Sequence, residues 1–355
     1  MRSPALLLLA SALFTGCANR NEAARAQFAS MVHEIVPVER TERLAFRAEM
    51  RELLAHQHYA RLVAIADSLR RSRAEFGDGR YALLEFTSAF SPDETPQEKD
   101  SEAWQAAIRD LERWRSAMPA SPLPDVALAQ TFVDLAWKAR GGGYAFTVRD
   151  TGWAGFESAL KRARDVIDTA GTKRPLGIEW YVVSHRLALG QGWPSEESQK
   201  LFEGAIACDS TCAAAYWQRA NFLLPRWYGE PGEWEAWLEQ AVRPLPPNDA
   251  DRVYASVCVD MSRFHGDLYR EAQLSWPRIR HGLTLMLERH PRSQVLLQEF
   301  AFNAAIADDI PTAHEMLRRT GPRCDLKVWR SKRLFSDLYV YVQARDANVT
   351  TASTH

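Results

Sequence analysis

The residues best suited to chemistry in this 355-residue chain sit in two short stretches, Arg140 to Trp153 and Pro225-Arg226-Trp227-Tyr228-Gly229. A guanidinium beside indole and phenol rings offers cation–π stacking and a planar fork of donors, a means of clasping a peptide carboxylate or an extended segment. Both stretches read as loops between otherwise regular helices, where functional groups concentrate. The candidate binding residues are therefore Arg140, Tyr144, Trp153, Arg226, Trp227 and Tyr228. The same residues have a packing alternative, in which Trp227 plugs the gap between two hairpins and Arg226 caps helix carbonyls.

Other chemistry finds little to work with. The sequence has no HExxH, GxSxG, Walker or GxGxxG motif and no EF-hand loop. Gly141-Gly142-Gly143 lacks the strand before it and the Lys-Ser/Thr after it that a phosphate cradle needs, and reads as a helix stop. His56 and His58 are two apart on a helical stretch and face different ways. Glu230, Glu233 and Glu235 gather at a helix start, where the dipole alone favours them, with an acid–base carboxylate pair as the alternative. No catalytic residue, metal site or cofactor is expected. Charge is balanced, 44 basic against 45 acidic residues, so no global field points to nucleic acid.

The elements that must hold these loops read as helices throughout. From Trp193 to Pro247 three segments follow one another: about Ser195 to Cys208, Cys212 to Leu224, and Glu233 to Val242. Leu201, Phe202, Ala205 and Cys208 form one apolar stripe, and Tyr216, Ala220 and Leu223 another. Pro225 and Pro244 stop their helices. A loose repeat runs through the chain. Leu160/Ala163, Phe202/Ala205, Leu238/Ala241 and Ile279/Gly282 pair a large residue with a small one three later, at intervals of 42, 36 and 41 residues. Tyr181, Tyr216 and Tyr254 recur at 35 and 38. A tetratricopeptide unit is about 34 residues, so these repeats are longer and less regular. The expectation is an all-α, tetratricopeptide-like α-solenoid of about six irregular helical hairpins over residues 41–321, with a basic helical cap at 322–342 and a disordered tail at 343–355. Twelve Trp serve mainly as packing anchors in such a fold.

Three blocks carry a further resemblance: Leu53-Leu54 through Leu62, Leu69, Arg70 and Phe76 to Asp78-Gly79 and Phe86; Ala136-Trp137-Lys138-Ala139-Arg140-Gly141-Gly142-Gly143-Tyr144-Ala145 with Val148, Trp153 and Phe156; and Glu179-Trp180-Tyr181, Gln191-Gly192-Trp193 and Leu223-Leu224-Pro225-Arg226-Trp227. Over roughly residues 50 to 320 the chain resembles a family of uncharacterised bacterial proteins, a domain of unknown function with a helical-repeat build. Tyr228 stands before Gly229 where that family tends to glycine, and Tyr81 where it has Trp. The resemblance implies the fold and no reaction.

The N-terminus suggests export. Arg2 precedes an apolar run from Ala5 to Phe14, too short to span a bilayer, which needs about 20 residues. Leu13-Phe14-Thr15-Gly16-Cys17 is similar to a bacterial lipobox, so residues 1–17 are expected to be a lipoprotein signal peptide with Cys17 the acylated residue. Ala18 after it, by similarity to known sorting, places the anchor at the periplasmic face of the outer membrane, with 18–40 a polar tether. An oxidising compartment permits two disulfides among Cys208, Cys212, Cys258 and Cys324; buried free thiols are the alternative. Seven basic against two acidic residues between Glu315 and Phe335 offer a patch for anionic lipid or an acidic partner, or a solvated face. The leading expectation is a non-catalytic, membrane-anchored scaffold that binds a protein or peptide in a helical-repeat groove. An enzyme using the 140–153 and 225–229 loops, and a purely structural envelope lipoprotein, are the alternatives.

Overall fold

A computed structural model describes residues 21–93, 97–143, 145–173, 175–262 and 274–352. Cys17 and the leader, Tyr144, and residues 353–355 of the expected tail lie outside them. The described chain is all-α: seventeen α-helices and one parallel pair of two-residue strands, His33–Glu34 (β1) with Arg323–Cys324 (β2). It divides into two compact units, one of Glu42–Phe76 and Arg80–Trp234, the other of the remaining segments, chiefly Glu235 onward.

The unit that carries the candidate loops is built of consecutive helices. Helix α1 (Asn21–Met31) belongs to the other unit and α2 (Val38–Ala55) to this one from Glu42; after them come α3 (Tyr59–Ser72), α4 (Ala82–Ser88), α5 (Gln97–Ala117), α6 (Leu123–Arg140), α7 (Asp150–Gly171), α8 (Ile178–Gln191), α9 (Ser195–Cys208) and α10 (Ala213–Phe222). Helix α6 packs along α7, α8 along both α7 and α9, and α10 against α8 and α9. Short connections between packed neighbours make them run antiparallel. The stripe Phe156, Ala159, Leu160, Ala163, Val166, Ile167 and Ala170 explains α7, since its spacings of one and three keep one face apolar and all seven are buried. Helix α6 starts with Leu123-Pro124, suiting the first helical turn, and stops at Gly141, whose φ of +76° an L-residue resists. Close contact between α8 and α9 depends on Gly204, where an added Cβ would stand 2.1 Å from the Tyr181 ring.

The other unit contains most of α11 (Glu233–Ala241), then α12 (Pro247–Met261), α13 (Trp276–Arg289), α14 (Gln294–Ile306), α15 (Ile310–Thr320), α16 (Leu326–Trp329) and α17 (Lys332–Ala352). Here α12 packs on α13, α14 on α15, and α17 on both α15 and α1. The stretch 18–40, read as a tether, is structured from residue 21. Phe28 stacks 3.7 Å from Tyr339, Arg25 pairs with Asp337 at 3.3 Å, and Phe28 and Val32 are buried. The β1–β2 pairing and the Arg40–Asp325 ion pair at 2.6 Å hold the same stretch further along. The stretch 343–352, read as tail, continues α17.

Candidate functional site

Three tryptophans close around one arginine in the first unit. Arg140 is the last residue of α6 and Trp137 lies three before it, so both project from one face of the final turn. Trp153 comes from the first turn of α7. Its helix starts close against the end of α6, where a Cβ on Gly152 would stand 3.0 Å from the Ala139 carbonyl. Trp227 arrives on the turn after α10. Pro225 ends the helical run, the Trp227 N–H donates to the Leu224 carbonyl at 2.8 Å, and the chain folds so tightly that a Cβ on Gly229 would lie 2.0 Å from the Leu223 oxygen.

The result is a cage of rings. The Arg140 guanidinium carbon is 5.6 Å from the Trp137 ring centre, 5.5 Å from Trp153 and 5.5 Å from Trp227. Trp137 meets Trp227 edge-on at 5.6 Å, and Phe156 backs both Trp137 (5.1 Å) and Trp153 (5.8 Å). Arg140 Nη1 donates to the Gly141 and Gly143 carbonyls at 3.2 and 3.1 Å. Arg226 is exposed, with its guanidinium 5.4 Å from the other flank of the cluster at Trp227. Burial holds Arg140 below the usual arginine value, and the like charge of Arg226 adds to this. Phe146, on the connection between α6 and α7, is 84% exposed.

Sequence reasoning named Arg140, Trp153, Arg226 and Trp227 among the binding candidates, and the fold brings these four together. Tyr144 lies outside the described residues. Tyr228 takes another course: its ring meets Phe222 at 4.7 Å and its hydroxyl donates to the Leu189 carbonyl at 2.9 Å. That contact ties the loop to the end of α8. Trp137, Phe156 and Phe146 went unnamed as candidates. The i, i+3 spacing of Trp137 and Arg140 was the available signal for the first.

A second cationic group stands at the same end of the hairpins. Arg219, in the last turn of α10, is 6% exposed and donates through Nη2 to Ser195 Oγ at 2.9 Å, at the start of α9. Its Nε and Nη1 are buried without a partner. Burial lowers its pKa, and the more distant Glu233 and Glu196 offset this only in part. Beside it, His185 is 1% exposed and donates from Nε2 to the Ser198 carbonyl at 2.7 Å. Burial pushes this imidazole down to about 3, against the opposing effect of the Ser198 hydrogen bond and with a further lowering by Arg219, so it is neutral at physiological pH.

No family model, curated protein or solved structure matches the chain. The geometry therefore carries the functional argument alone. Among the described residues no group of three or more His, Cys, Asp or Glu is placed to hold a metal ion, and no helix is long and apolar enough to cross a membrane. The four described cysteines are free thiols: Cys212, Cys258 and Cys324 are buried and Cys208 is exposed. The two disulfides that the sequence allowed are therefore not formed in this structure. Burial pushes the Cys212 thiol up to about 12 and Cys324 to about 11, which makes them poor nucleophiles. The basic run of the C-terminal unit is largely engaged locally. Arg318 pairs with Glu315, Arg333 with Asp337, and Arg323 donates to the carbonyls of Thr320 and Arg319. Lys327 and Arg330 line a cavity of about 260 Å³ together with Glu299, Phe302 and Asn303.

Proposed function

We propose that this protein is a non-catalytic, envelope-anchored scaffold of stacked helical hairpins that binds a protein or peptide segment at the end where α6, α8 and α10 finish. One observation carries the reading: the half-exposed cluster of Trp137, Trp153 and Trp227 around Arg140, with the exposed Arg226 beside Trp227 and the exposed Phe146 on the connection between α6 and α7. Rings and guanidiniums presented together are the composition of interface anchors, since indoles supply large contact area at small entropy cost and guanidiniums supply directed donors. Anchoring through an acylated Cys17 rests on the lipobox-like sequence alone. The alternative of an enzyme using the two loops has less to start from. They bring together indoles and guanidiniums, and among the described residues no carboxylate, imidazole or thiol is hydrogen-bonded to Arg140.

The test is site-specific crosslinking in the native envelope. A photoreactive residue at position 146 is expected to trap a discrete partner, whereas one at Ser210, at the far end of α9, traps none. The double variant Trp153→Ala with Trp227→Ala should lose the crosslink while keeping its helical circular dichroism. Equal crosslinking from both positions, or retention of the crosslink in the double variant, would remove the site.

A further inference from the structure

The charges of this unit are distributed unevenly between the two ends of its hairpins. Where α6 and α8 begin, each half-buried cation meets an acid. Arg70 reaches Glu179 at 2.5 Å and Asp67 at 2.6 Å, Arg115 and Lys173 share Asp125, and the exposed Arg73 lies 3.5 Å from Asp209. Although burial works against the charge of Arg70, Glu179 and Asp67 outweigh it and raise its pKa. At the other end Arg140 is bonded to two carbonyls, Arg219 to one hydroxyl, and Arg226 adds a third guanidinium. Among the described residues no carboxylate hydrogen-bonds Arg140 or Arg219. These two are also the described arginines whose pKa falls.

A desolvated guanidinium without a counter-charge is costly, and a like charge beside it adds to the cost. Both penalties are relieved by an anion that arrives with the ligand. The flanking surface selects among anions. Three indole faces and the 84% exposed Phe146 favour apolar side chains alongside the negative group, and such a mixture belongs to a polypeptide more than to a bare phosphate or a lipid headgroup. Resting on the proposed binding role of this end, we infer that its ligand is an acidic segment of another protein, whose Asp or Glu carboxylates pair with Arg140 and Arg226 while its apolar side chains lie on Trp153, Trp227 and Phe146.

The probe is an amidated synthetic peptide of alternating Glu and Leu, titrated into the full chain by calorimetry with tryptophan fluorescence as a second readout. Three companions accompany it: the Gln-for-Glu peptide, the Lys-for-Glu peptide, and inorganic phosphate. Vesicles of phosphatidylcholine and phosphatidylglycerol form a separate arm. The acidic peptide is expected to bind with an affinity that falls as salt rises, and to bind about tenfold more tightly than its Gln counterpart, the effect of roughly one charge-assisted hydrogen bond. Arg226→Glu, on an exposed side chain, should lose at least that factor with the fold intact. Arg140→Lys keeps the charge but not the planar stack and should lose less. Arg73→Ala at the opposite end should change nothing. If the Gln peptide binds as well as the acidic one and Trp227→Ala abolishes both, the surface stands and the acidic ligand is overturned. If no peptide binds the folded protein, both fall; if only phosphate or the anionic vesicles bind, the protein ligand is replaced by a phosphate one.

Discussion

The two ends of the same stack of hairpins solve one electrostatic problem in opposite ways. At one end acids sit in the first turns of α6 and α8, as Asp125 and Glu179, where helix dipoles favour them, and basic side chains from neighbouring helices close on them. Charge, dipole and hydrogen bonding agree at this end. At the other end Arg140 has rings and carbonyls for company, and Arg219 has a hydroxyl, with the charges of Glu233 and Glu196 offsetting its burial only in part. The first arrangement stabilises the fold, and the second is where we place the proposed partner.

The strongest way to break this comparison is to unpair the closed end. Asp125 is fully buried between Arg115 and Lys173, so Asp125→Ala leaves two half-buried cations without their shared acid. The expected loss is about 3–5 kcal/mol, read as a lowered urea midpoint. A loss under about 1 kcal/mol would show that the pairing is cosmetic. Acid offers the next test, now at the open end. His185 titrates near 6.5 when unfolded and near 3 in the fold. Its contribution is intact above pH 6.5 and is lost as pH falls from there towards 3, because the unfolded chain takes up a proton that the folded one refuses. The slope is about 1.4 kcal/mol per pH unit from this one group, and it should vanish in His185→Gln.

Smaller effects sharpen the contrast. Arg140→Ala removes three cation–ring contacts but also relieves the burial of its charge and the like charge of Arg226, so the net change in stability should stay within about 1 kcal/mol. Added salt, by screening the Arg226 repulsion in the parent, should make the loss on substitution larger. Arg226→Ala, on an exposed side chain, is expected to shift stability by no more than about 0.5 kcal/mol. A larger drop in its thermal midpoint would make Arg226 a structural residue.

Much of this architecture could be read locally. The spacing of Leu201, Phe202 and Ala205 located α9 to its end residues, and Gly141 marked a helix stop that the fold keeps, whereas α10 ends at Phe222, two residues short of the Leu224 end that Pro225 suggested. The division of the helical stretch 41–321 at Trp234/Glu235 was not visible, since contact density between distant segments leaves no local mark. Phe28 and Val32 were too sparse to outweigh the polar residues around them, so the docking of α1 on α17 went unread. Tyr228 resembled a site residue because it adjoined Trp227. Successive residues in a tight turn point in different directions, and its hydroxyl went to Leu189.

Sequence alone determined that the chain is helical and where aromatic and guanidinium groups interrupt it, because periodicity, proline and glycine act within a few residues. Only the tertiary structure decided that Trp137, Trp153 and Trp227 share one arginine, and that Asp125 joins Arg115 and Lys173 at one end while Arg140 and Arg219 hydrogen-bond carbonyls and a hydroxyl at the other. Such pairings join residues tens of positions apart, and their energies depend on burial and separation, which exist only once the helices have packed.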